Sequence, residues 1–600
     1  QHNKNGHMST ASNRWIIAVV AVVAVVLAAI VVSLFAGRTA CPLLPWLPAC
    51  VTAVDIPTLE ADRELERAGT LSDAGEYSQA LEALGRARDL YISVGNKTGE
   101  ARARSGIGRI ALRGGDLERA QSEFESARSL YVIESDAAAT ARSFVDLADT
   151  QRAMGRYKRA GQLYIKAAQT LDAAGLQQDS VAAVRAVADM ARITGRYDEA
   201  ARVYGEARRR YQALGDPAGE ADCLLGLAEI ARLTGSEPDA RALFGDARAY
   251  YETAESRQGV ARALKGQGDL EAQIGDNAAA RDAFEQALAL AREGSDKRIE
   301  AEVLLSVASL ETVQGRYDPA REAFRHAGDA FASMGLVHQQ ANALSGLAEL
   351  ERLASRPEAA QIAYAAALER FRRVGDRLGE AAVLRGLGDI DLNLHDFPQA
   401  MQSYKRSLGL YRDLGQRAGQ AHVLRSIGEV ERLQARFDAA VAAYSQALQL
   451  YRQEFDRLGE ANVLTGLGHV RRAQGESAEA LQSYERAYNL YEDMGVSLGE
   501  ANVMRGRGDL YLAEEDFAAA REAYGAALER YTSATNQRGR AYALWGLAEV
   551  SERGDGAASV ARGQYERAVE IFESLGLKDE AEAAREDLSR VSADGGEIRL

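Results

Sequence analysis

ANVLTGLGHVRRAQGESAEALQSYERAYNLYEDMGVSLGE, residues 461–500, is the stretch that decides the fold. Gly475 and Gly495 each suit a left-handed helix C-cap. The stretch therefore reads as one helix ending near Gln474 and a second running from about Ala478 to Met494. Small residues punctuate both, at Gly468, Ala480 and Ala487, and an aromatic stands at Tyr484.

Moving outward, the same pattern recurs every 40 residues without an insertion from Ala61 to Arg540. Position 8 of each unit is small (Gly108, Ala148, Gly388, Gly508), position 20 is alanine (Ala80, Ala120, Ala520), and position 27 is alanine or serine (Ala127, Ser407, Ala527). Position 24 is aromatic after the first unit, as at Phe124, Tyr164, Phe284, Tyr404 and Tyr524. A thirteenth unit from Ala541 carries one inserted residue, which moves its aromatic to Tyr565. Residues 582–592 then read as a polar closing helix and 593–600 as a tail, as the end of a stacked array requires.

Proline offers an independent check. Pro217, Pro238, Pro319, Pro357 and Pro398 all fall at expected helix starts, where a missing N–H costs little. Asp216-Pro217 and Asp318-Pro319 read as N-caps followed by first-turn prolines. Glycines inside helices, as at Gly386, Gly466 and Gly506, each cost up to about 1 kcal/mol, which makes sense only where packing demands a missing side chain. One helix pair cannot bury its own apolar face, so stability must come from stacking.

These positions resemble the tetratricopeptide repeat, whose pattern has a small residue at 8, alanine at 20, an aromatic at 24 and alanine at 27. The family's tryptophan at position 4 is leucine here in most units (Leu264, Leu344, Leu424, Leu464), and its proline at 32 is absent. The six extra residues per unit resemble the long-repeat subclass of Pins-type adaptors and bacterial arrays. The resemblance implies an all-α, right-handed α-solenoid of about thirteen units over residues 59–581. It also implies a protein or peptide ligand held by the first helix of each pair through positions 2, 5, 9 and 12.

Those positions supply the candidate site: Asn342, Asn462 and Asn502 at position 2, Arg385, Arg425 and Arg505 at position 5, and Asp389, Glu429 and Asp509 at position 9. Position 12 adds Arg432 and Arg472 among others. Asn amides suit a peptide backbone and Arg forks suit carboxylates. The competing reading is that the charges satisfy one another, since Arg385 and Asp389, Arg425 and Glu429, and Arg505 and Asp509 are i,i+4 neighbours. His422 and His469 also stand at groove positions, and Cys223 reads as a small core residue.

The amino terminus reads differently. Trp15 to Phe35 is a run of 21 residues without a charge, bracketed by Arg14 and Arg38. At about 1.5 Å per residue it matches the hydrocarbon thickness of a bilayer, so residues 15–36 are expected to form an uncleaved transmembrane helix after a short tail, 1–14. Residues 37–58 are expected to be a proline-rich tether, in which Cys41 and Cys50 could pair in an oxidising compartment or Leu43, Trp46 and Leu47 simply lie in the headgroup layer. Lys4 and Arg14 before the span and acidic residues after it favour an internal amino terminus and an exported, periplasmic body, with a cytoplasmic body as the alternative.

The chain carries a formal net charge of −15 and no segregated basic patch, which argues against nucleic acid. Its basic residues are mostly arginine, in keeping with a GC-rich bacterial genome. No histidine is followed by glutamate, and there is no GxxxxGK[ST] loop or GxSxG elbow. No metal-ligand cluster and no cofactor motif is present. The expected function is a membrane-anchored protein-binding scaffold, not an enzyme, monomeric without its partner; the alternatives are a mechanical or self-assembling spacer and a cytoplasm-facing signalling regulator.

Overall fold

The computed structural model describes residues 55–74, 76–554 and 557–594. The expected membrane span at 15–36, most of the tether and both Cys41 and Cys50 lie outside the described residues. Among the described residues no helix is long and apolar enough to cross a membrane.

The described chain is an all-helical repeat array of 27 helices, thirteen antiparallel pairs and a closing helix. In the eleventh pair the first (A) helix is Arg457–Gln474 and the second (B) helix is Ser477–Asp493. Every A helix thus begins about four residues earlier than the repeat phase alone suggests, with the Leu-Gly-Glu of residues 458–460 forming its first turn. Asp456 caps it by accepting from the Gly459 amide at 2.7 Å. The first helix, Asp55–Asp73, takes in the last four residues read as tether; Pro57 sits in its first turn, where no intrahelical bond is lost. The closing helix, Lys578–Asp594, is likewise longer than 582–592.

Turns between helices need one left-handed residue. Gly475 has φ 78° and Gly495 φ 67°, as the sequence reading expects, but nine of these positions hold other residues, including Phe455 at φ 56°. Pro217 begins its helix behind an Asp216 cap. Asp318 is not a cap: Arg316 occupies that place, and Asp318 stands in the first turn, where its negative charge suits the helix dipole and it pairs with Arg321.

The conserved phase of small and aromatic residues is a packing code. Tyr484 lies so close to its own A helix that a Cβ on Gly468 would be 2.4 Å from the ring. Its other side meets the next A helix, where a Cβ on Gly506 would sit at 3.0 Å. Tyr444 is wedged in the same way between Gly428 and Gly466. Each such ring is fully buried, worth about 1.5–3 kcal/mol. A second aromatic row, at position 31, occupies the B-to-A joint: Tyr451 lies over Gly459, Tyr491 over Gly499 and Tyr531 over Gly539.

The described residues form two compact bodies, one comprising those from Asp55 to Leu350 together with 369–376, the other comprising 351–368 and those from Arg377 to Asp594. In each, helices pack on their sequence neighbours and successive A helices also touch, which puts the A helices on the inner side of the stack.

Candidate functional site

Along an A helix, positions 2, 5, 9 and 12 fall on one face, and stacking of repeats sets these faces side by side. What fills that face depends on the buried tyrosines behind it. The Tyr404 hydroxyl donates to Asp389 at 2.6 Å, Tyr444 to Glu429 at 2.8 Å, and Tyr524 to Asp509 at 2.8 Å. Position 2 is served from position 31: Tyr491 donates to Asn462 Oδ1 at 2.9 Å and Tyr531 to Asn502 Oδ1 at 2.7 Å. The acidic ladder, Asn462 and Asn502 therefore latch A to B helices through their side-chain oxygens.

The arginines divide unequally. Arg432 grips Glu429 with two bonds, Nε at 2.9 Å and a terminal nitrogen at 2.5 Å, so Glu429 is paired with Arg432 instead of the expected Arg425. Arg505 and Arg472 share one carboxylate, approaching Asp509 Oδ2 at 3.7 and 3.9 Å. Asp509 Oδ1 is already taken by Tyr524. The buried Nε atoms of Arg472 and Arg385 have no acceptor.

Around this shared carboxylate opens a cavity of about 470 Å³ within the C-terminal body. Its floor is Asn502, Arg505 and Asp509, with Arg432, His469 and Arg472 from the two preceding repeats. The cavity is also lined by the start of the helix Gln537–Arg553, where the Tyr542 ring has the guanidinium groups of Arg505 at 5.5 Å and Arg538 at 5.8 Å from its centroid. Tyr542 also stacks on Trp545 with ring planes 9° apart and donates to Glu580 at 3.0 Å, so the wall is braced by the closing helix. His469 contributes no charge: burial, then the neighbouring Arg505, Arg432 and Arg472, lower its pKa to about 3, and its Nδ1 lies 2.8 Å from the Tyr484 hydroxyl. Four arginines thus face a cavity whose lining holds one carboxylate, a surface suited to an acidic group beside an amide-bearing chain.

Of the groove positions read from the sequence, the cavity brings together Asn502, Arg505 and Asp509 with Arg432, Arg472 and His469. Arg385, Asp389, Arg425, Glu429 and Asn462 are on A helices of the same body but outside its lining. Asn342 belongs to the N-terminal body, with its amide 3.4 Å from His338 Nδ1. Tyr531, Asn536 and Arg538 were not anticipated, because they come from a B helix and a helix start; Tyr542 was not named either, although it stands at position 2 of the thirteenth unit, where the repeat phase could have found it. Among the described residues no cluster of His, Cys, Asp or Glu has the make-up of a metal site. Cys223 is fully buried, and burial pushes its thiol up to about 12.

The paired helices, the small-residue and aromatic phase and the inner A-helix face define a helical-repeat interaction protein. Two sequence profiles, each described as Tetratricopeptide repeat, match residues 179–253, 339–413 and 419–493, and residues 243–297 and 505–575. The chain belongs to the tetratricopeptide repeat family. Residues 58–182 are also similar to the family described as Soluble NSF attachment protein, SNAP. No curated protein sequence matches the chain. Among solved structures, BtubC (BKLC) from P. vanneervenii is 22% identical over 37% of this chain and 91% of its own, with a TM-score of 0.33. The apo form of RapI is 12% identical over 59% of this chain and 98% of its own, with a TM-score of 0.48. A STAND signal-transduction ATPase with a tetratricopeptide repeat sensor from Pyrococcus horikoshii is 13% identical over 61% and 55%, with a TM-score of 0.45.

Proposed function

We propose that this chain is a membrane-tethered scaffold that captures a partner protein through an acidic peptide segment seated in the cavity of repeats 10 to 13. The observation that carries this reading is the convergence of Arg432, Arg472, Arg505 and Arg538 on a cavity whose lining holds one carboxylate, Asp509, approached by both Arg472 and Arg505. A carboxylate entering the cavity meets guanidinium groups that Asp509 alone does not neutralise, in a half-buried setting where a charge-assisted bond is stronger than one in open water. Asn502 Nδ2 and Asn536 are placed to meet the peptide backbone, and the Tyr542 ring packs against two of the arginines that would receive the carboxylate. The uncharged stretch 15–36, bracketed by Arg14 and Arg38, supports the tether, and the charge asymmetry around it supports an exported body.

The test is capture from envelope extracts by the full-length chain in detergent, beside Arg472→Glu/Arg505→Glu and Arg385→Glu. A protein retained by wild type and Arg385→Glu, lost by the double variant and displaced by an acidic peptide from its own sequence, supports the reading. Equal capture by all three chains overturns the cavity assignment. An alkaline phosphatase fused after Leu600 reads the orientation, and an inactive fusion overturns export.

A further inference from the structure

Residues 374–376 form the turn after the eighth B helix, Pro357–Arg373, yet residues 369–376 belong to the N-terminal body and not with their sequence neighbours. The reason is a contact far along the chain. Arg373 donates through its guanidinium to the Gly114 carbonyl at 3.3 Å, just beyond the C-terminus of the second A helix, Lys97–Arg113. Val374 packs against Gly115, close enough that a Cβ there would lie 3.2 Å from Val374 Cγ1. The fit continues beside it: Gly335 faces the Arg113 carbonyl and the Tyr77 ring, each 3.9 Å from where its Cβ would lie.

Val374 reports that this contact is built. It is 5% exposed, although the equivalent turn residues of other repeats are exposed or part-exposed, with Leu214 at 39%. Asp376, held 3.0 Å from His338 Nε2, fixes the turn from behind.

We propose that this turn is a releasable clasp: docked on Arg113–Gly115 it closes the N-terminal body on itself, and released it lets repeats 2 to 8 spread. Helix packing elsewhere runs between helices one or two apart in sequence, so the repeats keep their own cores when the clasp opens. Such a contact joins repeats 2 and 8 of an otherwise intact stack, and so separates two conformations without unfolding either.

The full-length chain tests this in two ways. Gly115→Cys/Val374→Cys places two thiols within disulfide reach, and under mild oxidation it should run faster on a non-reducing gel than either single variant, reversibly with reductant. Val374→Asp puts a charge into the contact and should raise the radius of gyration in small-angle scattering while far-UV circular dichroism stays unchanged; Val374→Ser serves the same comparison should helicity fall. A double variant that stays unlinked with both thiols accessible, or an unchanged radius in a helical Val374 variant, overturns the clasp.

Discussion

The Tyr484 hydroxyl and His469 Nδ1 lie 2.8 Å apart, at the rung where the repeats on either side set a tyrosine on Glu429 and on Asp509. An imidazole thus replaces a carboxylate in the middle of the arginine-lined cavity. It must stay neutral there, because burial and three guanidinium groups disfavour its charged form.

That neutrality gives a pH dependence. Unfolding returns the ring to its usual value of 6.5, whereas folding lowers it to about 3. In that window the unfolded chain binds the extra proton, so the contribution is present above pH 6.5 and is lost as pH falls. Between pH 7 and 5 wild type should lose up to about 2 kcal/mol more local stability than His469→Gln. Hydrogen exchange of the helix Arg457–Gln474 measures it; identical pH profiles would remove His469 as the cause.

Two glycine replacements should have opposite signs. A Cβ on Gly459 would meet the Tyr451 ring at 2.3 Å, and the ring is buried, so Gly459→Ala should destabilise by about 1–3 kcal/mol. Gly409, inside the helix Phe397–Asp413, has nothing within 4 Å of that place, so Gly409→Ala should stabilise by about 1 kcal/mol. Urea denaturation followed by circular dichroism compares them, and a shared sign would contradict the packing account.

The tyrosine latches predict a cost for losing a single oxygen. Asp389 is half-buried, its carboxyl raised by that burial against the opposing pull of the Tyr404 bond and of Arg385, Arg352 and Arg425. Tyr404→Phe keeps the ring but withdraws the 2.6 Å donor, and should cost about 1–3 kcal/mol. Limited proteolysis between repeats 9 and 10 would reveal it as faster cleavage, and an unchanged rate would mean that solvent replaces the hydroxyl.

The cavity wall allows a separation of ring from hydroxyl. Tyr542→Phe loses the bond to Glu580 but keeps the ring against Arg505 and Arg538, whereas Tyr542→Leu loses both. With a captured acidic peptide, the leucine variant should bind more weakly than the phenylalanine variant by about 0.5–2 kcal/mol. Calorimetry decides, and equal affinities would place the peptide away from this wall.

Much of the fold was legible because repetition removes ambiguity: twelve copies of one spacing place Gly468, Ala480, Tyr484 and Ala487 in register with their counterparts. The site was legible only in part. Asn462 and Asn502 read as free amides, yet each gives its oxygen to a tyrosine 29 residues further on. A signal for that existed in the recurrence of Tyr491 with Gly499 and of Tyr531 with Gly539, eight residues apart, which marks a ring pressed on a backbone.

By itself the sequence determined the helices, their pairing and their repeat, since small residues, aromatics and turn glycines act within one or two neighbouring helices. Only the tertiary structure decided which charges remain available. Arg432, Arg472, Arg505 and Arg538 come from four successive repeats, and Glu429 satisfies the first while Asp509 is divided between the next two. The same holds for Val374 and Gly115, whose meeting depends on how far each repeat turns relative to the last. Small rotations summed over many repeats are a property of packed side chains, and no local spacing in the chain records them.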